Sequence, residues 1–465
     1  HKTVDDADEL SPSDKPLSAI SPSEATDNKL PVVYEPEVSL FALPLISEVM
    51  VLLTFWADQI ALAEFKVVAP PSFASSKNFS VEAKWLAERI GIEWSIITHK
   101  DKDWNKSEFP RDLANHWEAL KKILDILVSP ENGAIKSLDE IGVVGHRMVH
   151  WWERFHESAL INDEIMQTLK DLIPLAPLHN PANITWIEAV QQVLPNVPNV
   201  VVFDTAFHQS MTPDHFLYPV PYEWYEKYGV RRYGFHWTSH KYVYQEICKH
   251  LNNDKLKVIT CHIGNGGSIT AIDAGKVIET SMWFTPLPGI MMGSRSWDID
   301  PSILEYICSK KWITISEATK ELNKNSGLLG ISGISSDSRD IEDAIKQWNE
   351  RAKLTQEMYV QKIANYIAMY NNVLNWADAI VMTAWVGENS KSTRKEICEK
   401  ISSLGVKIDE DKNNFRWEFR EISVNDSKIP VYVIPTNEEL MIAQDTYKII
   451  KWSWDNSGDF NFFKN

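Results

Sequence analysis

Short apolar segments alternate with longer amphipathic segments from about residue 78 to about residue 450, and this alternation limits the chain to a few architectures. The apolar segments predict strands at Ile141–Val149, Val200–Phe203, Lys257–Thr260 running into Ser268–Ile272, Ala379–Thr383 and Pro430–Ile434. The amphipathic segments predict helices at Ala114–Leu127, Ala182–Val193, Ser239–Leu251, Pro301–Cys308, Ile341–Met369 and Asn437–Ile449. Strands and helices that alternate in this way predict an α/β fold.

The formal net charge of -17 argues against a nucleic acid or an anionic membrane surface as the partner. Such partners are bound by clustered Lys and Arg side chains, which release counterions on binding. The four cysteines, Cys248, Cys261, Cys308 and Cys398, are too few and too widely spaced for a disulfide framework or a zinc site. We therefore expect a cytoplasmic protein with no nucleic-acid and no membrane partner.

The first 77 residues differ in composition from the rest of the chain. Up to about residue 36 they are rich in Ser, Pro, Asp and Glu, which is typical of disordered segments. The apolar run Val38–Trp56 approaches the length of a membrane span, but Pro44 and Glu48 interrupt it and it has no basic flank. We expect no membrane insertion here, and we interpret residues 1–77 as a disordered segment or the product of a frame error.

Tryptophan is in surplus in this chain and glycine is depleted. The chain has 19 Trp and 18 Gly among 465 residues, whereas glycine alone usually makes up about 7% of a soluble protein. Trp104 lies in a polar turn and Trp312 lies where a helix should end, and both positions favour glycine. One hypothesis is that a stop codon, reassigned to glycine in the source organism, has been translated as tryptophan. The alternative is a genuinely Trp-rich protein.

Five loops concentrate the reactive side chains, and each follows an apolar strand or precedes a helix. They are Gly145–His150, Phe203–His208, Arg231–His236, His262–Ser268 and Met292–Ser296. Open α/β sheets bind ligands at such positions. Any one Arg, Asp or Gly-rich turn is more often structural than catalytic. Together, however, the arginines, a histidine, flanking carboxylates and a glycine hairpin with bare N–H groups provide what phosphoryl transfer requires.

Several longer motifs in the chain resemble the acetate kinase family, which belongs to the sugar kinase, Hsp70 and actin superfamily. The motifs are Ala176–Pro181, Phe203–His208, Tyr233–His240, Phe284–Leu287, Arg295–Pro301, Ile334–Asp340 and Pro435–Leu440. The resemblance covers about residues 78 to 450. It implies two RNase-H-like domains, of the actin and Hsp70 type, with a nucleotide cleft between them. The first domain would be residues 78–206 plus about 437–455, and the second would be residues 207–436 with the ATP-binding loops.

The resemblance implies reversible phosphoryl transfer from ATP to the carboxylate of acetate, by direct in-line transfer with Mg2+, or with Mn2+ in its place. The substrates would be acetate or acetyl phosphate and ATP or ADP, and the assembly would be a homodimer. Two alternatives stay open: a kinase of propionate or butyrate, and a catalytically inactive nucleotide-binding relative. One methylene changes substrate discrimination by only about 1–3 kcal/mol, so the sequence does not decide between the acids.

The resemblance also assigns roles to individual residues. The catalytic residues would be Asp204, His236 and Arg295, with His236 and Arg295 stabilising the transferring phosphoryl group. Arg147 would bind the substrate carboxylate, and the pocket for its methyl group would be formed by Val149, Leu178, Phe235 and Pro286. The ATP-binding residues would be His262, Ile263, Gly264, Asn265, Gly266, Asp337, Ser338, Arg339, Trp385, Val386, Gly387, Glu388 and Asn389. Glu438 would help to hold Mg2+ through water.

The chain departs from the family in two ways. The family opens with a strand and a hairpin reading Asn-x-Gly-Ser-Ser-Ser-x-Lys, and this motif is absent; Ala74–Lys77 resembles it only by chance. Tryptophan also replaces glycine of the family at Trp85, Trp151, Trp152, Trp237, Trp283, Trp297 and Trp385, whereas Trp224 stands where aromatic residues are tolerated. An indole where the backbone must approach a ligand would strain the site, so these positions predict an inactive protein unless they carry glycine.

Overall fold

The computed structural model describes residues 49–56, 62–69, 80–88, 90, 95–110, 113–148, 158–173, 180–203 and 206–457. The first sheet has eight strands in the order β5-β4-β3-β2-β1-β6-β8-β7. Its strands are β1 (Val49–Trp56), β2 (Leu62–Ala69), β3 (Ser80–Glu88), β4 (Ile96–Asp101), β5 (Lys106–Pro110), β6 (Ile141–Met148), β7 (Ala159–Leu160) and β8 (Asn199–Phe203). Strands β1, β6 and β8 are parallel, and β1 to β5 form an antiparallel meander.

Four helices pack on this first sheet. They are α1 (His116–Leu127), α2 (Asp163–Asp171), α3 (Asn180–Val193) and α14 (Glu438–Ser457). Helix α1 begins at Asn115 because its side-chain oxygen accepts the N–H of Glu118, one of the donors that a helix start leaves unpaired. Buried aliphatic side chains of α1 and α3 pack on the strands in one apolar cluster. The connection from β6 to the parallel strand β8 contains β7, α2 and α3, so this part is a parallel crossover unit extended by the meander.

The second sheet has six strands in the order β11-β10-β9-β12-β14-β13. Its strands are β9 (Lys257–Ile263), β10 (Gly267–Asp273), β11 (Lys276–Thr280), β12 (Ala379–Thr383), β13 (Arg420–Glu421) and β14 (Val431–Val433). The helices of this part are α4 (Pro213–Phe216), α5 (Glu223–Tyr228), α6 (Trp237–Leu251), α7 (Ser302–Lys311), α8 (Ile315–Lys324), α9 (Gly327–Ser332), α10 (Ser338–Lys346), α11 (Glu350–Val373), α12 (Ala384–Asn389) and α13 (Lys391–Lys400). Strands β9 and β12 are fully buried from Val258 and Ala379 onward, since helices cover both faces.

The mixed α/β architecture confirms the predicted fold class. The ends of the predicted strands lie within two to three residues of the ends of the observed strands. The predicted helix Ile341–Met369 is wrong as a single helix, because the chain breaks between α10 and α11. Trp348 takes a left-handed backbone there, and Asn349 then caps α11 by accepting the N–H of Ala352 at 2.9 Å.

The interpretation of residues 1–77 as a structureless segment is wrong for Val49–Trp56 and Leu62–Ala69. These segments are β1 and β2, which pair with each other and insert between β3 and β6. The strands of an N-terminal hairpin are therefore present, although the family's polar turn motif is not. Residues 57–61, between the two strands, lie outside the described residues, as do residues 1–48 and Ala74–Lys77.

Helix α14 returns the C-terminal part of the chain to the first sheet. Its buried residues Met441, Ile442 and Ala443 pack with Val143 of β6 and Val200 of β8. The same helix also contacts α6 beside the second sheet, so it joins the two sheets. Within the described part of the chain, no helix has the length and hydropathy to cross a bilayer. The domain boundaries themselves stay a prediction.

Candidate active site

The turn between β9 and β10 brings a histidine and an arginine to one point. Ile263 pairs with Gly267, so the loop between the strands consists of Gly264, Asn265 and Gly266. A Cβ atom built on Gly266 would lie 3.6 Å from Nη1 of Arg295 and 3.8 Å from Nε2 of His236. Both side chains therefore approach the backbone of Gly266. The predicted convergence of these two residues on a phosphate-sized site agrees with this geometry.

The backbone of His236 is left-handed, and its ring contacts Ser268 and His262. The φ of His236, 60°, is uncommon outside glycine and typical of strained functional positions. Its Nδ1 lies 2.8 Å from the hydroxyl of Ser268, and its ring stacks on that of His262 at 4.2 Å. Burial, with smaller contributions from the neighbouring histidines and from Arg147, holds the pKa of His236 well below its usual value. The ring is therefore neutral in the ligand-free site.

Arg295 is buried on the other side of the loop. Its Nη1 donates to the carbonyl oxygen of Pro286 at 3.3 Å and lies 3.8 Å from the sulfur of Met292. Burial lowers its pKa to about 10, so the guanidinium stays charged at neutral pH. Phe235 packs with Met282 and Met292 in a small buried apolar cluster. Two of the four predicted pocket residues thus lie near Arg295. Pro286 accepts its hydrogen bond, and Phe235 packs against Met292, which Arg295 also contacts.

Arg147 approaches the same site from the first sheet. It lies near the end of β6, opposite Val202 of β8, and is buried. Its charge contributes to the lowered pKa values of His236 and His262, so it lies near both rings. Arg147 therefore lies in the same region as His236, which approaches Gly266 together with Arg295, and the convergence of all three on one phosphoryl group stays a prediction. The other predicted residues of this side, Asp204, Val149 and Leu178, lie outside the described residues.

The loop of Asn265 is fixed by Gly293. The N–H of Gly293 donates to the carbonyl oxygen of Asn265 at 2.9 Å. A Cβ on Gly293 would lie only 1.8 Å from the side-chain oxygen of Asn265, so only glycine fits there. This contact joins the two loops that carry the predicted phosphate-binding residues. The close approach explains why the sequence has glycine at position 293.

The predicted nucleoside-binding residues lie on two helix starts. Asp337 caps α10, next to Ser338, and its carboxylate accepts from the backbone N–H and the guanidinium of Arg339. The guanidinium of Arg339 lies 5.4 Å from the ring centre of Trp385, at the start of α12. These contacts join both predicted segments. Trp385 is half exposed and its ring contacts Trp417.

The residues after Trp385 are mostly buried and support the loop. Glu388 is buried, and its Oε1 accepts the N–H groups of Ala384 at 2.8 Å and Thr436 at 3.0 Å. Burial raises the pKa of this carboxyl group. Asn389 donates to the carbonyl oxygen of Trp385 at 2.9 Å. With Val386 and Gly387 also buried, the side chain of Glu388 holds the loop in place, and a direct contact with nucleotide stays a prediction.

Glu438, the predicted magnesium residue, lies at the first position of α14. Its Oε2 accepts the hydroxyl of Thr238 at 2.9 Å, and it is 8% exposed. The neighbouring Thr436 donates to Ser239 of α6 at 3.0 Å. Among the described residues no group of three or more His, Cys, Asp or Glu could hold a metal ion alone. A single oriented carboxylate nevertheless fits Mg2+, which usually binds one or two carboxylates, waters and substrate phosphates.

Sequence reasoning missed the polar residues that support the site. Ser268, His240 and Thr260 form buried hydrogen bonds beneath His236. One signal was available for His240: it follows His236 by four residues, and residues four apart share a helix face. Ser268 and Thr260 lie within apolar strands, where an isolated hydroxyl gives no distinctive pattern.

Five tryptophans take a backbone conformation that favours glycine. They are Trp104, Trp312, Trp348, Trp376 and Trp417, with φ between 56° and 84°. They are half of the ten non-glycine residues with positive φ in the described ranges. The predicted glycine-like character of positions 104 and 312 is therefore confirmed. Trp224, which the sequence marked as authentic, lies in α5 and is not among them.

Two other tryptophans are buried beside functional or core elements. Trp237 directly follows His236 and is 1% exposed, and Trp85 in β3 is equally buried. The indole N–H of each has no hydrogen-bond partner among the described residues. A buried N–H without a partner costs about 1–3 kcal/mol. The charged amine of Lys241 lies 4.7 Å from the ring centre of Trp237.

Comparison with known proteins identifies the family. The model of the acetokinase family matches residues 65–444. The acetate kinase of Pseudothermotoga lettingae is 52% identical over 381 residues, which is 82% of this chain and 94% of that protein. The crystal structure of the acetate kinase of Porphyromonas gingivalis is 39% identical with a TM-score of 0.80, and covers 87% of this chain and 100% of that one. A propionate kinase from Francisella tularensis is 38% identical with a TM-score of 0.79, and covers 86% and 100%. This chain is a member of the acetokinase family.

Proposed function

We propose that this chain transfers the γ-phosphoryl group of ATP reversibly to the carboxylate of acetate, giving acetyl phosphate and ADP. The observation that carries the proposal is the approach of Arg295 Nη1 and His236 Nε2 to the backbone of Gly266 in the β9–β10 turn. Phosphoryl transfer is catalysed mainly by positive charge and N–H donors placed around the equatorial oxygens. Membership of a family whose relatives are named acetate kinases supports the same reaction.

In this reaction Arg147 binds the carboxylate of acetate, for which a planar guanidinium is well suited. One carboxylate oxygen forms a bond to the γ-phosphorus while the bond from phosphorus to the bridging oxygen of ADP breaks. ADP leaves with that electron pair. Arg295 donates hydrogen bonds to the equatorial oxygens, and His236 donates through Nε2 once it has taken up a proton. The bound phosphates favour that proton, because they add negative charge beside a ring that is neutral in the free site.

We propose Mg2+, or Mn2+, as the metal, with Glu438 holding it through water. The hydroxyl of Thr238 fixes one oxygen of Glu438, so the carboxylate has a defined direction. When bound, the ion would neutralise charge on the ATP phosphates. The family's Asn and Lys of the first hairpin have no counterpart in the sequence, so Glu438 would carry more of the metal binding here than in relatives that keep them. A homodimer and a cytoplasmic location stay predictions.

The acid substrate is the open part of the proposal. The buried wall of Phe235, Met282 and Met292 is apolar and suits a short alkyl group. One structural neighbour is named a propionate kinase, so propionate is the second candidate. Initial rates with acetate, propionate and butyrate at equal concentrations decide the preference. Acetate is expected to give the highest kcat/KM.

The activity test is the formation of acetyl phosphate from ATP and acetate, followed as its hydroxamate. Replacing Arg295 by Ala is expected to lower kcat by about 100-fold to 1,000-fold, because it removes donors to the transition state. Arg351→Ala is the matched control, since Arg351 is exposed and its guanidinium donates to the carbonyl oxygen of Ile331. Equal activities of the two variants would refute the assigned role. A folded protein without activity, even after Trp237→Gly, would instead favour the inactive relative.

A further inference from the structure

A chain of hydrogen bonds runs beneath His236 and ends in the second sheet. The hydroxyl of Ser268 lies 2.8 Å from Nδ1 of His236 and 2.7 Å from Nε2 of His240. Nδ1 of His240 lies 2.7 Å from the hydroxyl of Thr260. Thr260, Ser268 and His240 are each 0% exposed, so water does not compete for these bonds. The order of residues along the chain is therefore fixed by the fold.

The direction of the donors follows from the last bond. The Thr260 hydroxyl lies 3.4 Å from the carbonyl oxygen of Thr270, which can only accept. Thr260 therefore donates to that carbonyl, and its oxygen accepts the Nδ1–H of His240. A neutral imidazole has one N–H and one bare nitrogen, so Nε2 of His240 is an acceptor. The Ser268 hydroxyl then donates to Nε2 of His240, and its oxygen accepts the Nδ1–H of His236.

We infer that Ser268 and His240 are positioning residues that hold neutral His236 in the Nδ1–H tautomer, with the bare Nε2 facing the transferring phosphoryl group. This inference rests on the proposed function for the identity of the ligand at Nε2. The tautomer matters because the opposite form would point a fixed N–H at the site and present no basic nitrogen there. With Nε2 bare, the proton that arrives with the phosphates binds where it can be donated to them.

Among the residues that the structure describes, no carboxylate contributes to the shifted proton equilibrium of His236. The groups that contribute are His262, which stacks on His236, together with His240, His208 and Arg147. Arg295 Nη1 also approaches the same point at Gly266. All of these are cationic or neutral, so the tautomer is set by hydrogen bonds and not by an ion pair. The hydroxyl of Ser268 contacts both His236 and His240.

The direct test is nitrogen NMR of the ligand-free protein with 15N-labelled histidine, which distinguishes the two neutral tautomers by their chemical shifts. The His236 signals are assigned by their loss in His236→Asn, because Asn tolerates the left-handed backbone. The Nδ1–H tautomer is expected in the unsubstituted protein. A neutral His236 with its proton on Nε2 would overturn the inference. This measurement needs no activity and no folded variant of Ser268.

Two matched substitutions then test the consequence. Ser268→Ala should release the tautomer and lower kcat by about 10-fold to 100-fold with little change in KM, because a misplaced catalytic group costs rate more than binding. His240→Gln keeps an acceptor near the Ser268 hydroxyl and should retain more activity than His240→Leu, which has none. Unchanged tautomer and kcat in Ser268→Ala would refute the positioning role. The expected tautomer without any acetyl phosphate would refute the proposed function and leave the hydrogen-bond chain intact.

A second inference comes independently from the left-handed tryptophans. Tryptophan adopts positive φ only at a steric cost, yet it occupies half of the non-glycine positions with positive φ in the part described here. Four of the five, Trp312, Trp348, Trp376 and Trp417, lie beyond residue 300, and Trp312 and Trp348 are 92% and 88% exposed. Their side chains therefore gain little from packing. We infer that the native protein carries glycine at these positions, read from a codon that the source organism assigns to glycine.

Peptide mass spectrometry of the protein isolated from its source organism tests this inference. Peptides that cover positions 312 and 348 are expected to have the mass of glycine at each position. Position 224, in α5, is expected to keep tryptophan and serves as the internal control. Tryptophan at 312 and 348 would overturn the inference.

Discussion

Replacing a left-handed tryptophan by glycine should stabilise the recombinant chain, and Trp312 gives the clearest case. It ends α7 with φ 56°, its N–H donates to the carbonyl oxygen of Cys308, and its side chain is 92% exposed. A left-handed backbone costs a non-glycine residue about 1–2 kcal/mol. Glycine avoids that cost but loses more unfolded-chain entropy, worth about 0.5–1 kcal/mol. The net gain from Trp312→Gly is therefore about 0.5–1 kcal/mol.

Replacement by glycine should raise the free energy of unfolding by similar amounts at Trp348, Trp376, Trp417 and Trp104. Trp104 and Trp417 are less exposed than Trp312 and contact Lys100 and Trp385, so part of their gain is offset. Five substitutions together should raise the free energy of unfolding by about 3 kcal/mol if the sites are independent. Denaturation by guanidinium chloride, followed by circular dichroism, measures this gain as a shift of the midpoint.

Two controls separate backbone strain from loss of the indole. Trp312→Ala also removes the indole but keeps a Cβ, so it should leave most of the strain and gain little stability. Trp224→Gly makes the same chemical change within the right-handed helix α5 and should destabilise the chain by about 1 kcal/mol. The reasoning fails if Trp312→Gly is no more stable than Trp312→Ala, or if it loses stability as Trp224→Gly does.

Three further predictions concern other parts of the molecule. Burial lowers the pKa of His146 to about 4 and that of His208 to about 3. Below about pH 6.5 the unfolded state therefore binds more protons than the folded state, and the free energy of unfolding decreases as the pH is lowered. By pH 5.5 these two residues should cost about 3 kcal/mol relative to pH 8, which urea titrations at both pH values can check. Thr238→Val removes the hydroxyl that donates to Glu438 and should raise the Mg2+ concentration for half-maximal activity by about 10-fold, measured by metal titration. Arg394→Met leaves carbonyl oxygens buried without their donor and should cost about 3 kcal/mol in urea denaturation, with Arg351→Met as the exposed control.

The sequence predicted four of the six strands of the second sheet, β9, β10, β12 and β14, because these strands are almost wholly buried and appear as continuous apolar runs. It missed β11 and β13, which are only partly buried. Ala379–Thr383 was predicted with both of its observed ends. The sequence prediction failed at the break between α10 and α11. The apolar periodicity continues through Trp348, whereas the backbone of Trp348 is left-handed. The sequence prediction also missed strand β1, whose residues form the C-terminal part of the apolar run Val38–Trp56. An apolar run alone does not distinguish a buried strand from other apolar segments.

The side chains proposed to bind phosphate stood out in the sequence, and the residues that support them did not. Arg147 lies near the end of β6, and His236 and Arg295 lie in segments whose composition already favoured phosphate binding. In the structure His236 and Arg295 approach Gly266, and Arg147 lies near His236. The hydroxyls of Ser268 and Thr260 act only through their position beneath His236. That position depends on the pairing of β9 with β10, which places Ser268 opposite His262 and Thr260 opposite Thr270. Strand register is a property of the folded sheet, so a single sequence does not reveal these contacts.

The same backbone conformation has two meanings in this chain, and the surrounding contacts distinguish them. His236 is left-handed at φ 60°, and its ring is held by Ser268 and by stacking on His262, so the contacts of a binding site compensate the strain. Trp312 and Trp348 are left-handed as well, but their side chains lie almost fully in solvent. Strain persists in native proteins where the surrounding structure demands it. The strain at these tryptophans has no such source, and glycine at those positions removes it.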